Sequence, residues 1–196
     1  MNEELLIKAM DIFDAPEKWN AFNELSRKRP EIEQRWFSKL HKEVFRREKN
    51  NGMPDWDIGE LWGTDLRWFI KGADENSLSI HFWKHDKVKL RVCFGFVGLD
   101  QNKVRNLYKS KFDFIKSCFD RVDDNADDTI GIEIGNFSFG SSVFNGNFPD
   151  VATLAWYAGN STNVFADQII AKVRKFQKTP GITELFKEIN EKCRRE

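Results

Sequence analysis

Residues 64–97 read TDLRWFIKGADENSLSIHFWKHDKVKLRVCFGFV, and this stretch decides the fold. Apolar and polar residues alternate in three runs, and side chains two residues apart lie on the same face of a strand. Turn residues at 72–77 and a short segment at 84–87 separate the runs, which favours antiparallel neighbours. The stretch therefore predicts a three-stranded antiparallel meander.

The alternation gives the predicted sheet two unlike faces. The apolar face carries Leu66, Trp68, Ile70, Leu78, Ile80, Phe82, Val88, Leu90, Val92, Phe94 and Phe96. The opposite face, here called the polar sheet face, carries Arg67, Phe69, Lys71, His81, Trp83, His85, Lys87, Lys89 and Arg91.

Helical periodicity precedes the sheet, and residues 1–49 are predicted to form a helical N-terminal arm. A first helix covers residues 3–12, and Asp14 is the expected cap of the next one. Pro30 predicts two helices, or one helix with a break before the proline, because proline removes a backbone donor. Trp19, Phe22 and Leu25 are expected to face inward. Residues 27–49 hold nine basic and four acidic residues.

Helices are also predicted after the sheet. A continuous apolar stripe over residues 101–120 indicates a helix that packs on the apolar sheet face. Residues 148–196 predict three more helices, which start at Pro149, at Ser161 or Thr162, and at Thr179 with Pro180.

The remaining segments carry weaker patterns. Residues 50–63 are predicted as an acidic loop, and residues 121–128 as an acidic turn. Alternating isoleucines over residues 130–134 indicate a short strand, a candidate fourth strand of the sheet. Residues 135–147 are rich in glycine and predict an irregular or hairpin segment. The whole chain is interpreted as one α+β domain over residues 1–196, with a sheet and helix at 64–134.

Composition limits the classes of function. The chain has 31 basic and 31 acidic residues, so no global field attracts nucleic acid or an anionic membrane. Cys93, Cys118 and Cys193 are widely spaced and show no CxxC pair, which is typical of reduced thiols in the cytoplasm. No apolar run reaches the roughly 20 residues of a membrane span. We expect a cytoplasmic protein that is not bound to a membrane.

Metal ligands are expected to be absent. His81 and His85 are four residues apart, but on a strand this spacing covers roughly 13 Å, too far for one shared ion. The acidic turn with Asp123, Asn125 and Asp127 imitates the start of a calcium loop. However, Asp128 stands where that loop needs glycine, and Glu133 is one residue short of the bidentate position.

Catalytic and cofactor motifs are also missing from the sequence. No Asp or Glu is followed two residues later by Lys, the pattern of many metal-dependent nucleases, and the segment around Ser138 lacks GxSxG spacing. Cys93 is predicted on the polar sheet face among Lys89 and Arg91, which could lower the pKa of its thiol. No histidine is near it in sequence, although a neighbouring strand could bring His81 or His85 close. The glycines at 131–146 match no phosphate-binding loop. The sequence therefore favours a protein that is not an enzyme and uses no cofactor.

Two binding functions remain. Aromatic residues and arginine are enriched in the cores of protein interfaces, so a non-catalytic accessory, inhibitor or immunity-type protein that binds a protein partner is predicted. The alternative is single-stranded nucleic-acid binding by the polar sheet face, where cations would contact phosphates and rings would stack on bases. The same rings could instead pack in the core.

Overall fold

The computed structural model describes residues 3–61, 65–74, 77–83, 89–93, 98–100, 102–104, 106–107, 111, 121–123, 131–133, 137–144 and 148–195. The helices are α1 (Glu3–Ile12), α2 (Pro16–Asn51), α3 (Val151–Asn160), α4 (Thr162–Gln177) and α5 (Ile182–Lys192). The strands are β1 (Trp56–Leu61), β2 (Asp65–Ile70), β3 (Ser79–Trp83), β4 (Lys89–Cys93), β5 (Arg121–Asp123), β6 (Gly131–Glu133), β7 (Phe137–Phe139) and β8 (Ser142–Phe144). The predicted α+β fold is confirmed.

The main sheet is an antiparallel meander in the order β1-β2-β3-β4. Its central register aligns Ile58 with Trp68, Trp68 with Ile80, and Ile80 with Val92. The predicted three strands are thus confirmed as β2, β3 and β4. The prediction of a loop over residues 50–63 was wrong, because Trp56–Leu61 forms a strand that pairs with the edge of β2.

The fourth strand forms because Trp56 and Ile58 follow the alternation of the sheet and are buried in the core. Residues 130–134 were predicted as a short strand and a candidate fourth strand of this sheet. Residues 131–133 are a strand, but they pair with β5 in a separate two-stranded sheet. The expected acidic turn at 121–128 therefore begins as a strand, and its residues 124–128 lie outside the described part of the chain. Residues 137–144 form a hairpin, which was one of the two alternatives for this segment, with Gly140 at a φ of 60° in the turn.

Three helices cover the apolar sheet face. Phe82 contacts the ring of Phe165 on α4, and Trp56 contacts Phe186 on α5. The indole of Trp68 donates a hydrogen bond to Glu48 on α2. The packing of the helix at 101–120 on this face stays a prediction. Residues 102–104, 106–107 and 111 are helical, and the rest of that prediction lies outside the described residues.

Helix α2 is one continuous helix of 36 residues that runs through Pro30. The expected break does not occur, and two ion pairs cross the proline: Lys28 with Glu31 and Arg29 with Glu33, both at 2.7 Å. Side-chain pairs of this spacing stabilise a helix and offset part of the cost of the lost backbone hydrogen bond. The helix starts with Ala15 as its cap and Pro16 in the first position, while Asp14 pairs with Lys18 instead of capping.

Only the C-terminal half of α2 belongs to the core. Its buried residues are Phe37, Leu40, Val44 and Glu48, and no described side chain from residue 4 to residue 35 is buried. The prediction that Trp19, Phe22 and Leu25 face inward was wrong. They are 50%, 44% and 60% exposed, because the sheet and the C-terminal helices reach only the second half of α2.

Candidate functional site

The polar sheet face brings Arg67 and His81 together but buries both. The two residues are direct neighbours across β2 and β3, and they are 6% and 5% exposed. The guanidinium of Arg67 lies 4.4 Å from the centre of the Phe69 ring. Among the described side chains predicted for this face, Lys71 is exposed and Phe69 is half-buried. Arg67 and His81 are therefore part of the interior.

A short hydrogen bond fixes the buried imidazole. The Oγ of Ser79 and the Nε2 of His81 are 2.5 Å apart, and Ser79 is fully buried. Burial, together with the smaller effect of the positive charge of Arg67, lowers the pKa of His81 to about 4. At neutral pH the imidazole is uncharged. Because it is buried, it is not part of an exposed binding surface.

The other predicted positions are described only in part. Trp83 lies opposite Lys89, and His81 lies opposite Arg91, in the backbone register of β3 and β4. The side chains of Trp83, Lys89 and Arg91, and the whole of His85 and Lys87, lie outside the described set. Single-stranded nucleic-acid binding by this face stays a prediction, and the burial of Arg67 and His81 weighs against it.

The strongest exposed feature is an apolar patch, mostly aromatic, on α2 and on the turn that precedes it, here called the arm patch: Phe13, Trp19, Phe22 and Leu25. Phe13 packs edge-on against Trp19 with ring centres 5.3 Å apart, and Trp19 stacks on Phe22 at 5.7 Å. The rings thus support one another although three of the four side chains are exposed.

Helical geometry places Trp19 and Phe22 of the arm patch on the core-facing side of α2. Phe37 and Leu40 follow Trp19 and Phe22 by 18 residues, which is about five turns at about 3.6 residues per turn. The same side of the helix is therefore buried at its C-terminal end and exposed at its N-terminal end. Sequence analysis missed this because it used periodicity alone. The polar residues Ser26, Arg29 and Glu33 interrupt this side of the helix. They were the signal in the sequence that its N-terminal part is exposed.

A second feature is a groove of about 880 Å³ between α2 and the junction of α3 with α4, here called the basic groove. Its lining residues are Arg35, Ser38, Lys39, Lys42, Glu43, Arg46, Asn160, Ser161, Thr162, Asn163 and Val164. The cations come from one face of α2, together with Ser38 and Glu43, and the other lining residues come from the helix junction more than a hundred positions later in the chain.

The wall of the basic groove is held by close packing. A side chain at Gly159 would overlap the indole of Trp36, so only glycine permits this approach of α3 to α2. Lys39 Nζ donates to the carbonyl of Gly159 at 2.9 Å. Beside the groove, Arg47 donates to Asp167 at 2.5 Å and to Asn163 at 3.0 Å. These bonds connect α2 to both α3 and α4.

The only carboxylate among the described lining residues is neutralised by its neighbours. Hydrogen bonds from Arg46 and Arg47 lower the pKa of Glu43 to about 2. Arg35 and Lys42 make no hydrogen bond or ion pair with any described residue. The groove therefore presents an excess of positive charge.

The described residues offer no metal site or membrane span. No cluster of three or more His, Cys, Asp or Glu side chains in this part of the chain could hold an ion. Within the same residues, each helix is too short or too polar to cross a bilayer. Cys193 is buried, and burial raises the pKa of its thiol. The side chains of Cys93 and Cys118 lie outside the described set.

The fold and these surfaces define an α+β protein with an exposed aromatic arm patch and a basic groove. No protein-family model matches the chain, and searches of curated proteins and of solved structures return no match either.

Proposed function

We propose that this chain is a non-catalytic, cytoplasmic protein of the accessory, inhibitor or immunity type that binds a protein partner. The contact surface is the arm patch. The observation that carries the proposal is the exposure of Trp19 and Phe22 on the side of α2 that is buried further along the same helix, with exposed Leu25 one turn further on.

The chemistry of the patch is that of an interface centre. Tryptophan supplies a large area of contact, and it is among the residues whose loss most weakens protein complexes. Contiguous apolar surface is disfavoured on a monomer and often marks an interaction site. The ring contacts between Phe13, Trp19 and Phe22 hold the side chains in place before binding, which lowers the entropy cost of association.

The expected occupant is an amphipathic helix. Helix α2 offers apolar residues at positions 19, 22 and 25, and α1 precedes it in the chain. A partner helix can pack its own apolar residues against these three positions. Sheet pairing is not offered by this part of the molecule, because the arm contains only helices among its described residues.

The test compares two variants in affinity capture from an extract of the native host. W19A/F22A removes the centre of the arm patch, and W156A removes another tryptophan that is also 50% exposed but lies on α3. The wild-type chain and W156A should capture similar amounts of the partner. W19A/F22A should capture at least tenfold less.

A direct measurement follows on the purified complex. The exposed Trp19 should shift its fluorescence to shorter wavelength when the partner covers it. Equal retention by W19A/F22A and W156A, with both variants folded as judged by thermal unfolding, would rule out the arm patch as the contact surface.

A further inference from the structure

We infer that the basic groove is a second contact surface, which binds an acidic helical segment of a protein partner. This inference names the chemistry of a partner and so rests on the proposed function, although it concerns a different surface. It depends on the charge of the groove, on its shape and on the spacing of its cations.

The cations form a regular row. Arg35, Lys39, Lys42 and Arg46 follow one another at intervals of four, three and four residues on α2. Residues at these intervals share one side of a helix, and the row extends about 16 Å at about 1.5 Å per residue. A helix with carboxylates at the same intervals can lie along the row and face each cation in turn.

The row is accessible for pairing. All four side chains belong to exposed residues, and Arg35 and Lys42 have no partner among the described residues. Lys39 has one hydrogen bond, to a main-chain carbonyl, which leaves its other ammonium hydrogens for a ligand. Arg46 shares Glu43 with Arg47, so the one acidic residue in the lining is already satisfied.

The polar residues opposite the row complete the groove for a peptide. Ser161 presents a hydroxyl, and Asn160 and Asn163 present side-chain amides. Such groups serve both the carboxylates and the polar side chains of an incoming segment. The groove volume of about 880 Å³ accommodates several side chains of a docked helix but not a whole domain.

Nucleic acid suits the groove less well. Single strands are bound by rings that stack on bases as well as by cations, and none of the described lining residues is aromatic. The chain has no net charge, so it lacks the long-range attraction that assists binding to a polyanion.

The test uses two fluorescein-labelled helical peptides of identical composition. The first has glutamates at positions i, i+4, i+7 and i+11, and the second has the same glutamates distributed around the helix. Fluorescence anisotropy should show that the full-length protein binds the first peptide at least fivefold more tightly than the second. Raising the salt from 50 to 300 mM should weaken this binding at least fivefold, because the contacts are ionic.

Charge reversal supplies the matched control. R35E/K42E should weaken binding of the first peptide at least tenfold. R27E/K178E changes net charge by the same amount at two exposed positions outside the groove, and it should leave the affinity within twofold. Equal losses in the two double variants, or equal affinity for the two peptides, would overturn the inference.

Two further measurements separate the competing outcomes. A labelled single-stranded or duplex oligonucleotide could bind more tightly than the first peptide and lose this binding in R35E/K42E. That result would assign the groove to nucleic acid and overturn the inference. W19A/F22A should bind the first peptide normally. If the peptide does not bind but partner capture still depends on Trp19 and Phe22, only the inference about the basic groove is refuted. If the peptide binds but partner capture does not depend on Trp19 and Phe22, only the arm patch is refuted as a contact surface.

Discussion

Among single residues, His81 links the stability of the fold to pH. Its imidazole is buried beside Arg67 and Ser79, and its pKa falls to about 4 from the ordinary 6.5. Between these values the unfolded chain binds a proton that the native chain excludes. Protonation therefore favours unfolding, and stability that is complete above about pH 6.5 is lost as the pH falls towards 4.

We predict that the free energy of unfolding falls by about 2–3 kcal/mol through His81 between pH 7 and pH 4.5. Urea denaturation of the wild-type chain and of H81Q at both pH values measures it. The wild-type loss should exceed that of H81Q by this amount. Carboxylates such as Glu43 and Glu188, whose pKa values are about 2, are present in both proteins and cancel in the comparison. Parallel pH profiles for the two proteins would contradict the assignment.

Most residue-scale features of the site depend on neighbours that are distant in sequence. The alternation in residues 64–97 correctly placed Arg67 and His81 on one face, because side-chain direction in a strand is local. Their burial was not predictable, since it depends on what packs on that face. The requirement for glycine at position 159 arises only because Trp36 lies against it.

Among the elements, α2 connects most of the molecule, and buried Glu48 is its main polar contact. One carboxylate oxygen accepts from Trp68 Nε1 on β2 at 2.9 Å, and the other accepts from Arg174 on α4 at 3.0 Å. Arg174 also donates to the carbonyl of Asn51 at 2.6 Å, at the end of α2. One side chain thus fixes the helix against the sheet and against α4.

We predict that E48A lowers the free energy of unfolding by about 3 kcal/mol, because it leaves the Trp68 indole without an acceptor and Arg174 without its carboxylate. E48Q, which keeps an acceptor, should lose about 1 kcal/mol. Chemical denaturation measures both values. The control is E188A, which removes exposed ion pairs with Lys111 and Lys192 and should change stability by less than about 1 kcal/mol. Equal losses for E48A and E188A would show that the buried contacts of Glu48 contribute little.

The elements themselves were largely predictable, and the errors have physical causes. Strands β2, β3 and β4 and the C-terminal helices follow strong local periodicity. Strand β1 was missed because Asp57 and Gly59 resemble turn residues, although Trp56 and Ile58 keep the two-residue period. The break expected at Pro30 does not occur, and the ion pairs that cross the proline offset part of its cost, which a rule based on the backbone alone does not consider.

For the whole molecule, the described residues divide into a packed body and an arm. The buried apolar residues begin at Phe37, whereas α1 and the first half of α2 carry exposed apolar side chains. The basic groove lies at the level of Arg35 to Arg46, where the arm meets the body. Sequence analysis found the basic excess at 27–49 but not the groove, because its second wall comes from residues 160–164. Long-range packing, which no local pattern contains, creates it.

This division predicts that the body folds without the arm. A chain of residues 31–196 keeps every residue of the described core, and Glu31 and Glu33 then lie in the first helical turn, where acidic residues favour the helix dipole. Its cooperative thermal unfolding should occur within about 4 °C of the full chain, because no described side chain that is removed is buried. The shortened chain, like W19A/F22A, should fail to capture the partner from the extract. It should still bind the peptide with glutamates at i, i+4, i+7 and i+11. A midpoint more than about 10 °C lower would show that the arm is part of the folding unit, and its exposed rings would then need an explanation other than a binding surface.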